Sequence, residues 1–359
     1  MGFRILLVVI VQLGLLCQGN SRSEPSLSDS KNESVGENIN CFVYHRFGDD
    51  RYPSTNISLE DFENHLRYLK ENEYNVLTLK EVVQLLLSDE NIPPKTVVLT
   101  VDDGYKSFIS GGMPLLRKYG FKATVFINTI QVGYPDFLSW EEIQFLVGEG
   151  IEIGNHSHSH DYFTDYQGSE LIENFNNDLK ISQELFARNL GFTPEVYSYP
   201  YGEYTNKIKA ELNKFGIKAA VGQNSGVIST LSDIYALPRF PMTGNLSSLG
   251  KFIQKVNMRA LPVKPVQDYD PIVRNSNPPE LVVQLLDPEL IETSNLQCFV
   301  GGEMECQMSF NMEKSLITVQ SINTLVSRRT LYTITAPSAK QSNVWYWYSW
   351  LWVIPENTD

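Results

Sequence analysis

The chain has 359 residues, of which 42% are hydrophobic and 20% are charged. This composition excludes collagen-like, coiled-coil and wholly disordered proteins, and the length allows one large domain or two smaller ones. The 42 acidic side chains outnumber the 29 basic ones and give a formal net charge of −13. Because proteins that neutralise phosphates carry clustered Lys and Arg, this balance argues against nucleic acid as a partner.

The first residues have the pattern of an export signal. Arg4 precedes an apolar run at 5–16, which has the length of a signal-peptide core but is short for a bilayer span. The pattern predicts a signal peptide over residues 1–19 and an exported protein that is secreted, periplasmic or at the cell surface. A lipid anchor on Cys17 is the alternative. No later segment of the sequence is apolar enough to predict an integral membrane segment after signal removal.

The rest of the chain divides into four segments. Residues 20–40 are rich in Ser, Asn, Asp and Glu, a composition typical of a disordered tether. From 41 to 260 short apolar runs alternate with amphipathic stretches, which predicts βα units around a parallel sheet or barrel. Residues 261–279 carry several prolines and are the predicted linker. Residues 280–359 have strand-like runs with little helical periodicity and predict a small all-β sandwich.

Several elements have clear local signals. Ser58, Thr78 and Ser139 each begin a pattern that resembles a capping box, so a helix is predicted after each of them. Short runs rich in β-branched and aromatic residues predict buried strands at 96–101, 123–127, 151–154 and 196–199. Near the C-terminus the predicted strands are 281–286, 316–319, 331–335 and 345–353.

The four cysteines are too few for a disulfide scaffold and wrongly spaced for a Cys-rich zinc module. Cys298 and Cys306 flank a Gly-Gly pair, so a disulfide that closes a hairpin is predicted for an exported protein. Cys41 lies in an apolar strand and is predicted to be a buried thiol.

Two adjacent acids, Asp102 and Asp103, follow directly after the predicted strand at 96–101. Active sites of α/β folds lie where parallel strands open into loops. Adjacent side chains point in different directions, so one acid can bind a metal while the other handles a proton. A simple strand-ending turn is the alternative, because Asp and Gly are common turn residues.

Three of the five histidines lie within residues 155–160, after another predicted strand. His156 and His160 are four residues apart, and on a helical turn both rings would lie on one face and offer two nitrogen ligands to a divalent metal. A carboxylate would complete a two-His, one-Asp set with open positions for water and substrate. Adventitious metal binding by a surface loop is the alternative. His158 would face solvent or support the ligands.

Four further features complete the set of candidates. The turn at 198–202 either aims backbone N–H groups at an oxyanion or simply ends a strand. Arg239 stands in an apolar segment and needs a carboxylate partner, for which Asp102 is the obvious candidate. His45, after the first strand, is either a proton donor or a structural histidine. His65, on the first amphipathic helix, is predicted to be a surface residue.

Together these motifs resemble the polysaccharide deacetylases of carbohydrate esterase family 4, in which Asp-Asp-Gly is followed by His-Ser/Thr-x-x-His and a Pro-Tyr-Gly turn. The likeness covers about residues 41–260 and implies an α/β fold with a distorted (β/α) barrel. It implies that Asp102 is the general base and that Tyr201 lends its backbone N–H to the oxyanion. The metal ligands that it implies are Asp103, His156 and His160.

Two departures from that pattern change the expected roles. Ser198 replaces the usual Arg of the Pro-Tyr motif, and no histidine follows His160, so the usual late general acid is absent. Tyr44-His45 with the segment 51–54 looks like the branch of biofilm poly-N-acetylglucosamine deacetylases, in which the motifs are circularly permuted. That resemblance implies that His45 is the acid and that Arg239 replaces the missing partner of Asp102.

The implied function is that of an exported metal-dependent hydrolase that removes N-acetyl groups from an amino-sugar polymer, with an acetylated polysaccharide as its partner. A metal would polarise the acetyl carbonyl and acidify water, Asp102 would take the proton of that water, and His45 would protonate the leaving amine. Zinc is the default metal, although iron, cobalt and nickel also suit these ligands. The alternatives are an O-acetyl polysaccharide esterase and a non-catalytic glycan-binding module.

The C-terminal run 345–350 alternates Trp and Tyr, which places aromatic rings on both faces of a strand. One face could stack on sugars. The alternative, more common for large aromatic side chains, is that they fill the sandwich core or its interface with the first domain.

Overall fold

The computed structural model describes residues 38–88, 90–274, 276–303 and 306–356. The predicted signal peptide, Cys17 and nearly all of the tether lie outside these ranges. Within the described ranges, no helix combines the length and the apolar character needed to cross a membrane.

The first part of the chain forms a curled parallel sheet. Its strands, with two short ones that pair only with each other, are β1 (Ile39–Tyr44), β2 (Arg46–Phe47), β3 (Asn56–Ile57), β4 (Asn75–Leu77), β5 (Thr96–Val101), β6 (Thr124–Ile127), β7 (Glu152–Asn155), β8 (Val196–Ser198), β9 (Ala219–Val221) and β10 (Phe240–Pro241). The order is β10-β1-β5-β6-β7-β8-β9, with β4 also paired to β5. A bridge from Val221 to Leu237, just before β10, joins the two ends of the sheet. This confirms the predicted distorted barrel.

Helices pack around this barrel. They are α1 (Leu59–Glu71), α2 (Leu79–Leu87), α3 (Met113–Tyr119), α4 (Trp140–Gly148), α5 (Gly168–Leu190), α6 (Asn206–Leu212) and α7 (Leu249–Val256). Thr78 and Ser139 form both hydrogen bonds of a capping box, and the Ser58 hydroxyl accepts the Asp61 N–H, so the three predicted helix starts are confirmed. No capping-box pattern precedes the long helix α5 in the sequence. In the structure its N-cap residue, Gln167, forms no side-chain capping hydrogen bond.

The C-terminal strands form two four-stranded sheets. They are β11 (Arg259–Ala260), β12 (Val263–Pro265), β13 (Glu280–Leu285), β14 (Gln297–Val300), β15 (Cys306–Asn311), β16 (Leu316–Ser321), β17 (Arg329–Pro337) and β18 (Trp345–Val353). The sheet orders are β11-β18-β17-β14 and β12-β13-β16-β15. Side chains of both sheets share one core, which confirms the predicted sandwich.

Two details of the sandwich bear on the sequence predictions. Strand β12 lies inside the predicted linker 261–279 and pairs with β13, so the second sheet begins earlier than residue 280. Cys298 and Cys306 are joined by a disulfide, and Cys41 is a buried free thiol in β1, as predicted.

The prediction that His65 is a surface residue is wrong. His65 is fully buried on α1, on the same face as Phe62, Leu66 and Leu69. It comes three residues after Phe62, one before Leu66 and four before Leu69, which puts it inside the apolar stripe of the helix. The ring stacks on Phe252, with 4.1 Å between the ring centroids, and its Nδ1 lies 3.2 Å from the Tyr44 hydroxyl.

Burial lowers the pKa of His65 to about 4. At pH values between about 4 and the usual histidine pKa, the unfolded chain binds one more proton than the folded chain. The free energy of unfolding therefore falls as the pH is lowered through this range. We expect His65→Leu to reduce that slope by about 1.4 kcal/mol per pH unit in urea titrations. Tyr44→Phe is the control, because it keeps the histidine and the slope. An unchanged slope in His65→Leu would contradict the assignment.

Candidate metal and catalytic site

The parallel barrel strands bring the predicted motifs to one edge of the sheet. Asp102 follows β5, and its N–H donates to the Tyr44 carbonyl at the end of β1 (2.9 Å). His156 follows β7, and its N–H donates to the Ile127 carbonyl at the end of β6 (3.0 Å). Because the carboxyl ends of parallel strands share an edge, residues distant in sequence meet there.

Asp103, His156 and His160 come together as predicted. The distances from Asp103 Oδ1 are 3.3 Å to His156 Nε2 and 3.4 Å to His160 Nε2. The two Nε2 atoms are 3.2 Å apart. One ligand atom from each residue lies within 4.8 Å of the others, so the three side chains could hold one ion.

The two histidines meet through a loop, which corrects the prediction of a helical turn. Ser157 and His160 have left-handed φ angles of 69° and 59°. The Ser157 N–H donates to Asn155 Oδ1, and the His160 N–H donates to Ser157 Oγ, both at 2.8 Å. These side chains replace helical hydrogen bonds with local ones, and the loop brings the rings together.

Asp178 holds the middle of this loop. Its two carboxylate oxygens accept the backbone N–H groups of His158 and Ser159, each at 2.7 Å. The His158 Nδ1 lies 2.9 Å from the Thr129 hydroxyl, so His158 contributes to the loop rather than to the three-residue cluster. No sequence pattern indicated Asp178, because it lies about twenty residues away within α5.

The donor set fits a divalent transition metal. The Ser198 carbonyl can only accept, so His156 Nδ1, 2.7 Å away, must donate to it. In the neutral ring this leaves the Nε2 lone pair of His156 available to a metal, the arrangement found around protein-bound metals. Burial alone would raise the pKa of Asp103, but hydrogen bonds to His156 and His160 hold it well below its usual range. The carboxylate is therefore charged and ready to bind a cation.

Asp102, the sequence neighbour of Asp103, forms a buried ion pair with Arg239. Arg239 Nη1 and Nη2 donate to the two carboxylate oxygens at 2.8 Å each. The remaining three guanidinium hydrogens go to Thr100 Oγ1, Ser198 Oγ and the Gly222 carbonyl. All five donors of a fully buried Arg239 are thus satisfied.

This pairing sets the charge of Asp102. Burial alone would raise its pKa, but the Arg239 guanidinium and the neighbouring His156 lower it below its usual range. The carboxylate is ionised at neutral pH and can accept a proton. Ser198, which stands where the related motif usually has an arginine, contacts the guanidinium of Arg239 instead.

His45 and Tyr201 lie at the same edge. Burial lowers the pKa of His45, and the carboxylates of Asp103 and Asp102 oppose that shift. Its Nδ1 is buried without a hydrogen-bond partner among the described residues. Tyr201 has a φ of 58°, and its ring centroid lies 4.6 Å from that of His160.

The sandwich supplies residues to this region that the sequence did not predict. Arg328 donates two hydrogen bonds of 2.8 Å to the buried Glu203 and one of 3.1 Å to Asp165. Its guanidinium also lies 3.9 Å from the centroid of the Tyr162 ring, which stacks on Tyr201 at 3.7 Å. No local pattern could have indicated this contact, because more than 120 residues separate Arg328 from Glu203.

The sequence is similar to known proteins over part of its length. Residues 89–220 match the family model described as polysaccharide deacetylase. The candidate polysaccharide deacetylase YxkH of Bacillus subtilis (strain 168) is 29% identical over 209 residues, which make up 56% of this chain and 72% of that protein. The poly-β-1,6-N-acetyl-D-glucosamine N-deacetylase of Staphylococcus aureus (strain MRSA252) is 25% identical over 211 residues, which again make up 56% of this chain and 72% of that protein.

Solved structures share the fold. The Streptococcus pyogenes deacetylase PplD, in complex with acetate, aligns with a TM-score of 0.56 and 22% identity over 61% of this chain and 98% of its own. IcaB from Ammonifex degensii aligns with a TM-score of 0.55 and 24% identity over 62% of this chain and 97% of its own. At these identities the likeness is one of fold alone.

Proposed function

We propose that this chain is a polysaccharide deacetylase, as the family model over residues 89–220 and the similar relatives support, that it is exported, and that it hydrolyses the N-acetyl groups of an amino-sugar polymer. The observation that carries the proposal is the Asp103, His156, His160 cluster beside an Asp102 carboxylate held by Arg239. The similar protein of Staphylococcus aureus is named as a poly-β-1,6-N-acetyl-D-glucosamine N-deacetylase, which supports an amide rather than an ester as the bond that is hydrolysed.

Asp103, His156 and His160 would hold a divalent metal, with zinc as the first candidate. When bound, such an ion supplies Lewis acidity, which polarises an acetyl carbonyl and makes water a better nucleophile at neutral pH. The Ser198 carbonyl fixes the orientation of the His156 ring for this task, and Asp178 fixes the loop that carries His160.

The remaining residues divide the proton transfers. Asp102 is the general base: it accepts the proton of the attacking water, and Arg239 keeps it ionised beforehand. His45 is the general acid and protonates the amine nitrogen as the C–N bond breaks, since an amine anion is too basic to leave. The Tyr201 N–H donates to the oxygen that becomes negatively charged in the tetrahedral intermediate.

Metal content and acetate release, measured on one purified sample, test the proposal. We expect about one equivalent of metal per chain and acetate release from N-acetylglucosamine oligomers that stops on chelation and returns when metal is added. Acetylated xylan serves as the ester substrate. Bound metal without acetate release from any glycan would favour a glycan-binding module, and release from xylan alone would favour an O-acetyl esterase.

Two histidine variants test the ligand assignment. We expect His160→Ala to lose the metal and the activity together, because one of three protein ligands is removed. His158→Ala is the matched control from the same loop, and its metal content should equal that of the wild type. Retention of a full metal equivalent by His160→Ala would show that the ligand assignment is wrong.

A further inference from the structure

A cleft of about 960 Å³ opens between the barrel and the sandwich. Both parts belong to one compact unit. The barrel side of the cleft includes Tyr201, Phe240 and Met242. Since the Tyr201 ring also contacts His160, the cleft leads directly away from the candidate catalytic site.

One face of the sheet β14-β17-β18 forms the opposite wall. Alternate residues of these strands line the cleft, among them Phe299, Thr333, Thr335, Trp345 and Trp347. Their sequence neighbours Cys298, Ile334 and Tyr346 are buried in the sandwich core. Because side chains of a strand alternate between the two faces, the sheet presents aromatic, leucine and threonine side chains to the barrel, with Arg329 at the start of β17.

The two tryptophans on this wall have different surroundings. Trp347 contacts the barrel directly. Its Nε1 donates to the Ser225 carbonyl at 3.1 Å, and the Lys255 ammonium lies 3.6 Å from its ring centroid. Trp345 and Phe299 are half-buried and line the cleft. Both tryptophans also pack against the barrel core, so the interface alternative applies to part of each ring. The ring surface that Trp345 and Phe299 leave uncovered faces the cleft and is available to a ligand.

The charged side chains described along the cleft are basic. Among the described residues that line it, the charged ones are Lys251, Lys255 and Arg329, although the whole chain carries a net charge of −13. A sugar that has lost its acetyl group carries an ammonium group, which these cations repel. A sugar that keeps its acetyl group is neutral, so the cations do not repel it.

We propose that this cleft binds the still-acetylated sugars of the polymer next to the one being deacetylated, with Trp345 and Phe299 stacking on the sugar rings. The proposal rests on the proposed function for the identity of the polymer. It assigns the sandwich a role in holding neutral N-acetylated amino-sugar oligomers and in rejecting the deacetylated product.

Steady-state kinetics of the full chain with a long and a short substrate test the cleft. We expect Trp345→Ala and Phe299→Ala each to raise KM for an N-acetylglucosamine hexamer about tenfold, with kcat/KM for the dimer unchanged. Trp345→Phe keeps a ring and should restore most of the affinity. Phe145→Ala, which removes an exposed aromatic ring of α4, is the control. Unchanged hexamer KM in both alanine variants would overturn the proposal.

Calorimetric binding separates this proposal from the proposed function. The wild type should bind the acetylated hexamer at least about tenfold more tightly than the glucosamine hexamer, and Trp345→Ala should lose that preference. Equal affinity for the two hexamers would overturn the proposal even if acetate is released. Preferential binding of the acetylated hexamer that depends on Trp345, without acetate release, would support the cleft and reject the enzyme function.

Discussion

Asp102→Asn is expected to lower kcat for deacetylation about a thousandfold, the scale of a lost general base. The amide is similar in size and still accepts a hydrogen bond from Arg239, so it fills the site while the proton acceptor is lost. Because it leaves the buried guanidinium without its counter-charge, the variant is also expected to lose about 3–5 kcal/mol of stability. The metal content should not change, because Asp103, His156 and His160 are untouched. Acetate release and metal analysis on the same sample measure both quantities.

Ser198→Ala is the matched control for this substitution. Its hydroxyl belongs to the same buried cluster, 3.2 Å from Asp102 Oδ2, but the carboxylate remains. We expect at most about a tenfold loss of kcat, because the hydroxyl's hydrogen bonds to Asp102 and from Arg239 are removed but both charged groups remain paired. If Asp102→Asn were no worse than Ser198→Ala, Asp102 would not be the base.

Arg239→Met is expected to destabilise the protein by about 3–5 kcal/mol, since it leaves the buried Asp102 carboxylate without its counter-charge. Burial would then raise the pKa of Asp102 unopposed by the guanidinium, so activity should also fall. Urea unfolding at neutral pH gives the change in the free energy of unfolding.

The double variant Asp102→Asn/Arg239→Met shows whether charge is the cause. With neither ion present, it should be more stable than Arg239→Met alone, and the difference between the two measures the cost of the isolated carboxylate. If the single and double variants were equally unstable, the loss would come from packing of the long Arg239 side chain instead.

The parts of the fold that have local causes could be predicted from sequence. The strand β5 matches the predicted residues 96–101, and the capping boxes at Thr78 and Ser139 are present, because neighbouring residues alone determine them. The strand ends also indicated where the candidate site lies, since Asp102 and His156 follow predicted strands and Ser198 lies at the end of one.

The parts that depend on long-range contacts could not be predicted. The sequence spacing suggested a helical turn for His156 and His160, but Asn155 and Ser157 close a loop instead. His65 looks like a surface residue by type, yet Phe252, far along the chain, covers its ring. The domain boundaries at 260 and 280 stay a prediction, although β12 already pairs with the sandwich.

The contacts of Arg328 have a consequence for how this protein can be divided. A barrel separated from the sandwich would lose the Arg328 guanidinium, which donates two hydrogen bonds to Glu203 beside the stacked Tyr162 and Tyr201 rings. The cation that balances this acid at the edge of the candidate site therefore comes from the other end of the chain. A different sandwich attached to the same barrel would need a cation at the equivalent position to keep that pairing.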